Sequence, residues 1–308
     1  MAGCVGRVAK NTLAGPAVLI ALAAGGWPVE ASDLARFALV GGTIHVSPTE
    51  APIRDGVVLI RDGRIVAVGR RNEVPLEKDV PTLDCGGLHV AAGFWNSHVH
   101  LFERKWANAG SLAASDVARQ LEAMFTRHGF TTVFDLGSDQ ENTRRIRERV
   151  ESGEVPGPRI LSTGPVLVAA HAVPPDNVLA MLGFMATRGY EVADDAQAAA
   201  GAKAILDAGA DGIKIHLQPP PSPNPGFPPT AIAIAVGAAH RARRPAFVHP
   251  DTTADVRTAA RAGVDVVAHT TPRSDPWDEA TIRALKDARV ALTPTLFLWK
   301  YALRHERL

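Results

Sequence analysis

From residue 36 to about 89 the apolar positions come in short β-branched runs: Phe37-Ala-Leu-Val, Thr43-Ile-His-Val, Gly56-Val-Val-Leu-Ile and Arg64-Ile-Val-Ala-Val. Gly41-Gly42, Asp55-Gly56 and Asp62-Gly63 punctuate them, and Asp-Gly between apolar runs is a strong hairpin signal. The pattern predicts a small all-β module over residues 32–89. Beyond it the period changes. Residues 115–128 place Val117, Leu121, Met124 and Phe125 on one helical face, Gly129 stops the helix, and Phe130-Thr-Thr-Val-Phe-Asp135 reads as a strand. The same grammar recurs at 194–208 before Asp211-Gly-Ile-Lys-Ile-His216, at 254–262 before Val264-Asp-Val-Val-Ala-His269, and at 278–288 before Val290-Ala-Leu-Thr-Pro-Thr295. Helices that each stop just short of an apolar strand are βα units and imply a parallel sheet.

Strands are expected at 90–98, 130–136, 159–164, 212–217, 245–249, 264–269 and 290–295. In a barrel of such units the active groups sit on the loops at the C-terminal ends of the strands. An open doubly wound sheet is the competing architecture. No glycine-rich phosphate loop follows any strand, which weakens a nucleotide-binding version of that sheet, and no Gly-x-Ser-x-Gly elbow supports a serine hydrolase. Residues 219–229 hold seven of the chain's 23 prolines directly after the fourth strand. A stiff loop there either walls a substrate pocket or is a solvated excursion.

The N-terminus follows neither pattern. Arg7 and Lys10 precede an apolar run over 12–27, and Val29-Glu30-Ala31 leads into Ser32. The run is short of the roughly 20 residues a membrane span needs, and its layout is that of a secretory signal peptide over 1–31. Cleavage would leave an exported chain with no stable membrane span. Composition narrows the partners: 33 Lys and Arg balance 32 Asp and Glu, so no basic face is offered to nucleic acid. Two cysteines, Cys4 and Cys85, make neither a disulfide framework nor a thiolate zinc site. Eleven histidines turn attention to nitrogen ligands.

Their positions give the chemistry. His98 and His100 close the first parallel strand, and alternation puts both imidazoles on one face. Lys214 lies between two isoleucines in the fourth strand, where a cation is expensive to bury. His249 ends the fifth strand and His269 the sixth. Singly, each has a bland explanation, as a helix cap, a satisfied core imidazole or a snorkelling amine. Nitrogen groups closing strands one, four, five and six of one sheet point to a shared metal site.

Gly93-Phe-Trp-Asn-Ser-His98-Val-His100, following the Arg-Asp-Gly-Arg-Ile-Val-Ala-Val-Gly hairpin at 61–69, resembles the amidohydrolase superfamily, in particular its exported imidazolonepropionase-like and prolidase-like branch. Asp-Gly-Ile-Lys-Ile at 211–215 is similar to the family's lysine strand. The resemblance implies an α/β chain: a (β/α)8 TIM-type barrel over residues 90–308 and half of a small β-sandwich module over 32–89. It also implies two divalent metal ions. His98 and His100 would bind one, His249 and His269 the other, and Lys214 would bridge them as a CO2-derived carboxylate. Zinc suits a mostly imidazole set, with iron, manganese and cobalt admissible. His171, in the loop after strand three, and His216, two residues past Lys214, are candidate substrate contacts or ordinary histidines.

The chain departs from the family pattern in two places. Asn96 stands where an Asp is usual, which alters the hydrogen bonding around the ligands rather than their number. The family's eighth strand, with the Asp that takes the proton from the attacking water, has no counterpart before Leu308. Asp275 and Asp278 belong to the connection after strand six. The resemblance therefore implies a barrel lacking its eighth strand, with the catalytic base unknown. The function expected is metal-dependent hydrolysis of an amide, lactam or dipeptide C–N bond in a small molecule. The alternatives are a non-catalytic metal-binding remnant, or a fragment that needs a partner chain for strand eight. A homo-oligomer is compatible with either.

Overall fold

A computed structural model of the chain describes residues 36–172, 189–217, 225–271 and 274–297. The leader expected over 1–31 and residues 219–224 of the proline-rich loop lie outside the described residues. The chain divides into two compact units, Met1–Gly93 and Phe94–Leu308.

The first unit is built on the antiparallel strands β1 (Arg36–His45), β2 (Ile53–Arg61) and β3 (Arg64–Arg70). β4 (Thr82–Asp84) and β5 (His89–Ala91) run parallel to β1 and complete a five-stranded sheet. Strand alternation separates its two faces. Ala38, Val40, Val57 and Leu59 pack in one cluster, and Phe37, Ile44, Val58 and Ile60 in another. Asp62-Gly63 forms the expected turn: Arg61 pairs with Arg64, and the two turn residues have φ of +49° and +67°, the pattern of a type I′ hairpin.

Gly41-Gly42 does not form a turn. The runs at 37–40 and 43–46 are largely one continuous strand, whose register against β2 shifts at these glycines. Gly41 has φ of +83°, and a Cβ added at Gly42 would come within 3.1 Å of Cys85 and Val90. The pair is a bulge with a close approach beneath it, a feature that local sequence does not separate from a turn.

Among the described residues, the second unit contains parallel strands only. β6 (Phe94–Val99), β7 (Phe130–Asp135) and β8 (Arg159–Ser162) form one sheet in that order. β9 (Leu167–Ala169), β10 (Tyr190–Val192), β11 (Ile213–His216), β12 (Ala246–His249), β13 (Val266–Val267) and β14 (Ala291–Leu292) form a second, ordered β10-β9-β11-β12-β13-β14. The Asp211 amide donates to the Ser162 carbonyl at 2.7 Å and ties the two sheets together. Helices α1 (Ala114–Met124), α2 (Gln140–Glu151), α3 (Asp195–Asp207), α4 (Pro229–Arg241), α5 (Thr253–Arg261) and α6 (Glu279–Asp287) supply the crossovers. Asp139, Asp194, Thr252 and Asp278 cap four of them by accepting a backbone N–H of the first turn.

The expected strand at 90–98 is split at Ala92-Gly93: His89–Ala91 joins the first sheet, and Phe94–Val99 opens the parallel one. α2 and α4 differ in what they bury. α2 is charged at seven of its twelve residues and leans on pairs such as Arg147–Glu151, while α4 is an alanine-rich helix with a broad buried face.

Alternation sorts the parallel strands as cleanly as the first sheet. Ile213, Ile215, Val248 and Val267 pack among the helices α3, α4 and α5. Phe134, Leu161 and Phe247 pack together on the opposite face. Among the described residues β6 bonds only to β7 and β14 only to β13, so the pairing does not close into a ring. Phe94 and Trp95 on β6 and Leu292 on β14 are exposed. No helix among the described residues is long and apolar enough to cross a membrane.

Candidate metal centre

The face carrying Phe134 and Phe247 turns polar at the C-terminal ends of its strands. Lys214 pairs in register with Phe247, and His216 with His249. Period-two alternation therefore stacks a lysine and two histidines above the apolar layer. Lys214 is 2% exposed. The His216 and His249 rings stack at 3.8 Å between centroids with 15° between planes. His269 follows β13, with its centroid 4.5 Å from those of both His98 and His249. His98 on β6 and His100 just past its end have their Nε2 atoms 3.2 Å apart. The structure thus gathers His98, His100, Lys214, His216, His249 and His269 in one place. His171 is placed differently. It is exposed on the loop after β9, with φ of +64°, and its backbone N–H donates to Glu191 at 3.1 Å.

Burial sets the protonation of the cluster. It lowers His100 to about 4, and His216 and His269 to about 3, with the Lys214 charge the next cause in each. His98 and His249 are pushed further down, again first by burial. Lys214 itself is lowered by burial to about 7, with Asp135 opposing. At neutral pH the site is thus a set of uncharged imidazoles around an amine close to losing its proton, the donor state that metal binding requires.

Two further observations fit a divalent ion. The 3.2 Å between the Nε2 atoms of His98 and His100 is close to the roughly 3.3 Å that separates two nitrogens bound at 2.0–2.1 Å to a tetrahedral ion. His100 Nδ1 meets the Gly137 carbonyl at 3.0 Å, the outward anchor typical of a ligating histidine. Among the described residues no three His, Cys, Asp or Glu side chains make a ready three-donor group. The histidines are linked instead by ring contacts, His98 to His100 and His269, and His249 to His216 and His269.

Two polar residues of the surroundings were missing from the sequence reading. Asp135 ends β7, fully buried, and accepts from Ser138 at 2.7 Å, Ser162 at 3.0 Å and Thr143 at 3.2 Å. Burial raises it to about 6 against those bonds. Ser138 also accepts the Leu101 amide at 2.8 Å, so this network holds the chain immediately after His100. Its signal was the same as that of the histidines, a polar residue closing an apolar strand. The other is Thr295, whose hydroxyl lies 2.7 Å from His269 Nδ1.

The model of the amidohydrolase family matches residues 89–305, the span that carries every one of these groups. The chain belongs to the amidohydrolase family. Members of this family generally use divalent metals. A 71-residue stretch is 38% identical to an N-acyl-D-aspartate deacylase of Alcaligenes xylosoxydans xylosoxydans, covering 23% of this chain and 14% of that protein. Among solved structures, an amidohydrolase superposes with a TM-score of 0.70 at 23% identity over 88% of this chain and 69% of that one. A Xaa-Pro dipeptidase with methionine in its active site gives 0.69 at 18% identity over 89% and 70%. A prolidase complexed with N-methylphosphonate-L-proline gives 0.69 at 24% identity over 88% and 68%. At these identities the solved structures establish the likeness of fold.

Proposed function

We propose that this amidohydrolase is a metal-dependent hydrolase of C–N bonds in small molecules, with N-acyl amino acids and dipeptides as its first candidate substrates. The observation that carries the reading is the convergence of four uncharged imidazoles, His98, His100, His249 and His269, with the buried Lys214 at the C-terminal ends of parallel strands. His98 and His100 hold one divalent ion, and His249 and His269 a second, zinc being the metal such ligands favour. Bound there, the metal supplies an activated water and polarises the scissile carbonyl.

Lys214 has the chemistry for carboxylation. Its neutral amine attacks CO2, a C–N bond forms, and one proton leaves to give an anionic carbamate. Burial lowers the amine to about 7, so much of it is unprotonated at neutral pH, and a carbamate there would remove the problem of a buried cation. His216, stacked on His249, and His171, on its exposed loop, are the proposed substrate contacts. Asp135 is enclosed by its hydroxyl partners and is not assigned the role of base. The corresponding fold reading is a (β/α)8-type barrel whose staves include β6, β7, β8, β11, β12, β13 and β14, preceded by half of a β-sandwich. The leader makes export part of the same proposal, and a mature N-terminus at Ser32 on sequencing supports it.

The one-sided pairing of β6 and β14 favours a second reading, in which metal binds but turnover waits on a further strand between them. One experiment separates the two: strip the chain with chelator, reload it with Zn2+, count the bound ions and follow amine release from N-acyl amino acids and Xaa-Pro dipeptides. Two tightly bound ions with restored hydrolysis support the first reading. Tight binding without turnover supports the second, and no tight binding overturns both.

A further inference from the structure

His269 is held by a residue that makes a costly turn to reach it. The β14 ladder ends where the Thr293 amide donates to the Val267 carbonyl at 2.9 Å. Pro294 has no N–H to extend it, and Thr295 then takes φ of +47°. Among the described residues, Thr295 is the β-branched one with positive φ. Arg243 and Arg289 share that conformation just past the ends of α4 and α6, where a left-handed residue normally terminates a helix. Asp55, Asp62 and Asn108 are of the types that adopt it most readily. A threonine there is a genuine outlier, kept only when its surroundings over-determine it. What the turn achieves is visible: the Thr295 hydroxyl meets His269 Nδ1 at 2.7 Å, while His269 is 5% exposed and in ring contact with both His98 and His249.

We propose that Thr295 is a positioning residue whose hydroxyl accepts the Nδ1 proton of His269 and so fixes the tautomer that leaves Nε2 with its lone pair. A neutral imidazole has one protonated nitrogen, and the partner of that nitrogen decides which one it is. A hydroxyl accepts this proton at the distance seen. An apolar side chain does not, and the ring then divides between tautomers and orientations. The consequence for metal affinity rests on the metal-centre reading above. The tautomer itself does not.

The test uses the full chain, labelled with 15N-histidine and stripped with chelator. Long-range 1H–15N spectra report which ring nitrogen carries the proton, and His269→Gln assigns the signals. Parent and Thr295→Ser are expected to show His269 protonated at Nδ1. Thr295→Val, which keeps the branch and removes the hydroxyl, is expected to show a mixture or the other tautomer. Thr295→Gly relieves the strained φ and is expected to fold at least as well as the parent while losing the tautomer in the same way. Zn2+ affinity, read by competition with a chelating dye, should fall about 10- to 100-fold in the Val and Gly variants and stay near the parent's in Ser. An unchanged His269 tautomer in Val and Gly overturns the proposal, as does a loss in Ser equal to that in Val, which would make the residue a packing element. If the parent binds no Zn2+, the metal reading fails while the spectra still decide the role of Thr295.

Discussion

Two of the histidine pairs in contact, one in each unit, have their ring centroids at the same distance, 5.1 Å. His45 and His89 come from the parallel strands β1 and β5 and meet Nε2 to Nδ1 at 2.8 Å on the outside of the first unit. His98 and His100 come from one strand and meet Nε2 to Nε2 at 3.2 Å. Contact alone does not separate a ligand pair from two neighbouring imidazoles. The second pair differs in its surroundings: more burial, a lysine, three further histidines, and a carbonyl that anchors one ring from outside. The first pair has solvent.

The largest effect expected from breaking this difference is at Lys214. Lys214→Met replaces a buried amine by an apolar chain of similar length, so two changes should run in opposite directions. Tight metal binding and hydrolysis should be lost, by more than about 100-fold in affinity. The melting temperature of the chelator-treated chain should rise or hold, because a buried group that favours charge is gone. Calorimetry beside a Zn2+ titration reads both, and a fall in both would mean that Lys214 is structural.

Next in size is the pair comparison. His98→Ala with His100→Ala should weaken Zn2+ binding at least about 100-fold, whereas His45→Ala with His89→Ala should leave the high-affinity ions in place. Equal losses would erase the distinction drawn between the pairs.

The third effect is on pH. His100, His216 and His269 are lowered to between about 3 and 4, and His98 and His249 further, from an ordinary 6.5. The unfolded chain therefore binds more protons than the folded one below that value, and the metal-free chain should lose stability as pH falls through and below 6.5. Asp135, raised from 3.8 to about 6, works the other way, since its folded form binds the extra proton between those values. One carboxyl is outweighed by the histidines. Thermal unfolding of metal-stripped protein at about pH 7 and about pH 4.5 should show the lower midpoint in acid.

The smallest effect contrasts two glycines. Gly137 has φ of +135°, and an added Cβ would stand 2.7 Å from Val166 Cγ1. Gly137→Ala should cost about 1–3 kcal/mol in urea denaturation and, by shifting the carbonyl that anchors His100, weaken metal binding. Gly63, at φ of +67° with open space around it, should cost about 1 kcal/mol as Ala and leave the metal unchanged.

Much of this was legible in local pattern. The βα grammar is short-range: a helix cap, an apolar stripe, a glycine stop and an apolar strand each sit within a few residues, so Asp194 to His216 could be read without its neighbours. Alternation within a strand placed His98 with His100, and Lys214 with His216, on shared faces. Where the local signal was ambiguous the reading failed. Gly41-Gly42 serves a bulge and not a turn, because its role depends on Cys85 and Val90 more than forty residues on. α2 buries Thr143, Ile146 and Arg149 along one face, a stripe with a single apolar residue in it.

What the sequence determined by itself is which chemical groups close which strands, since period-two geometry is a property of the chain alone. Tertiary structure decided what those groups become. Only the parallel register brings His216 onto His249, and only burial leaves five imidazoles uncharged around an amine close to losing its proton. Only the path of the chain after β14 delivers a threonine hydroxyl to His269. Protonation and orientation depend on desolvation and on partners dozens of residues distant, and neither is written in any local window.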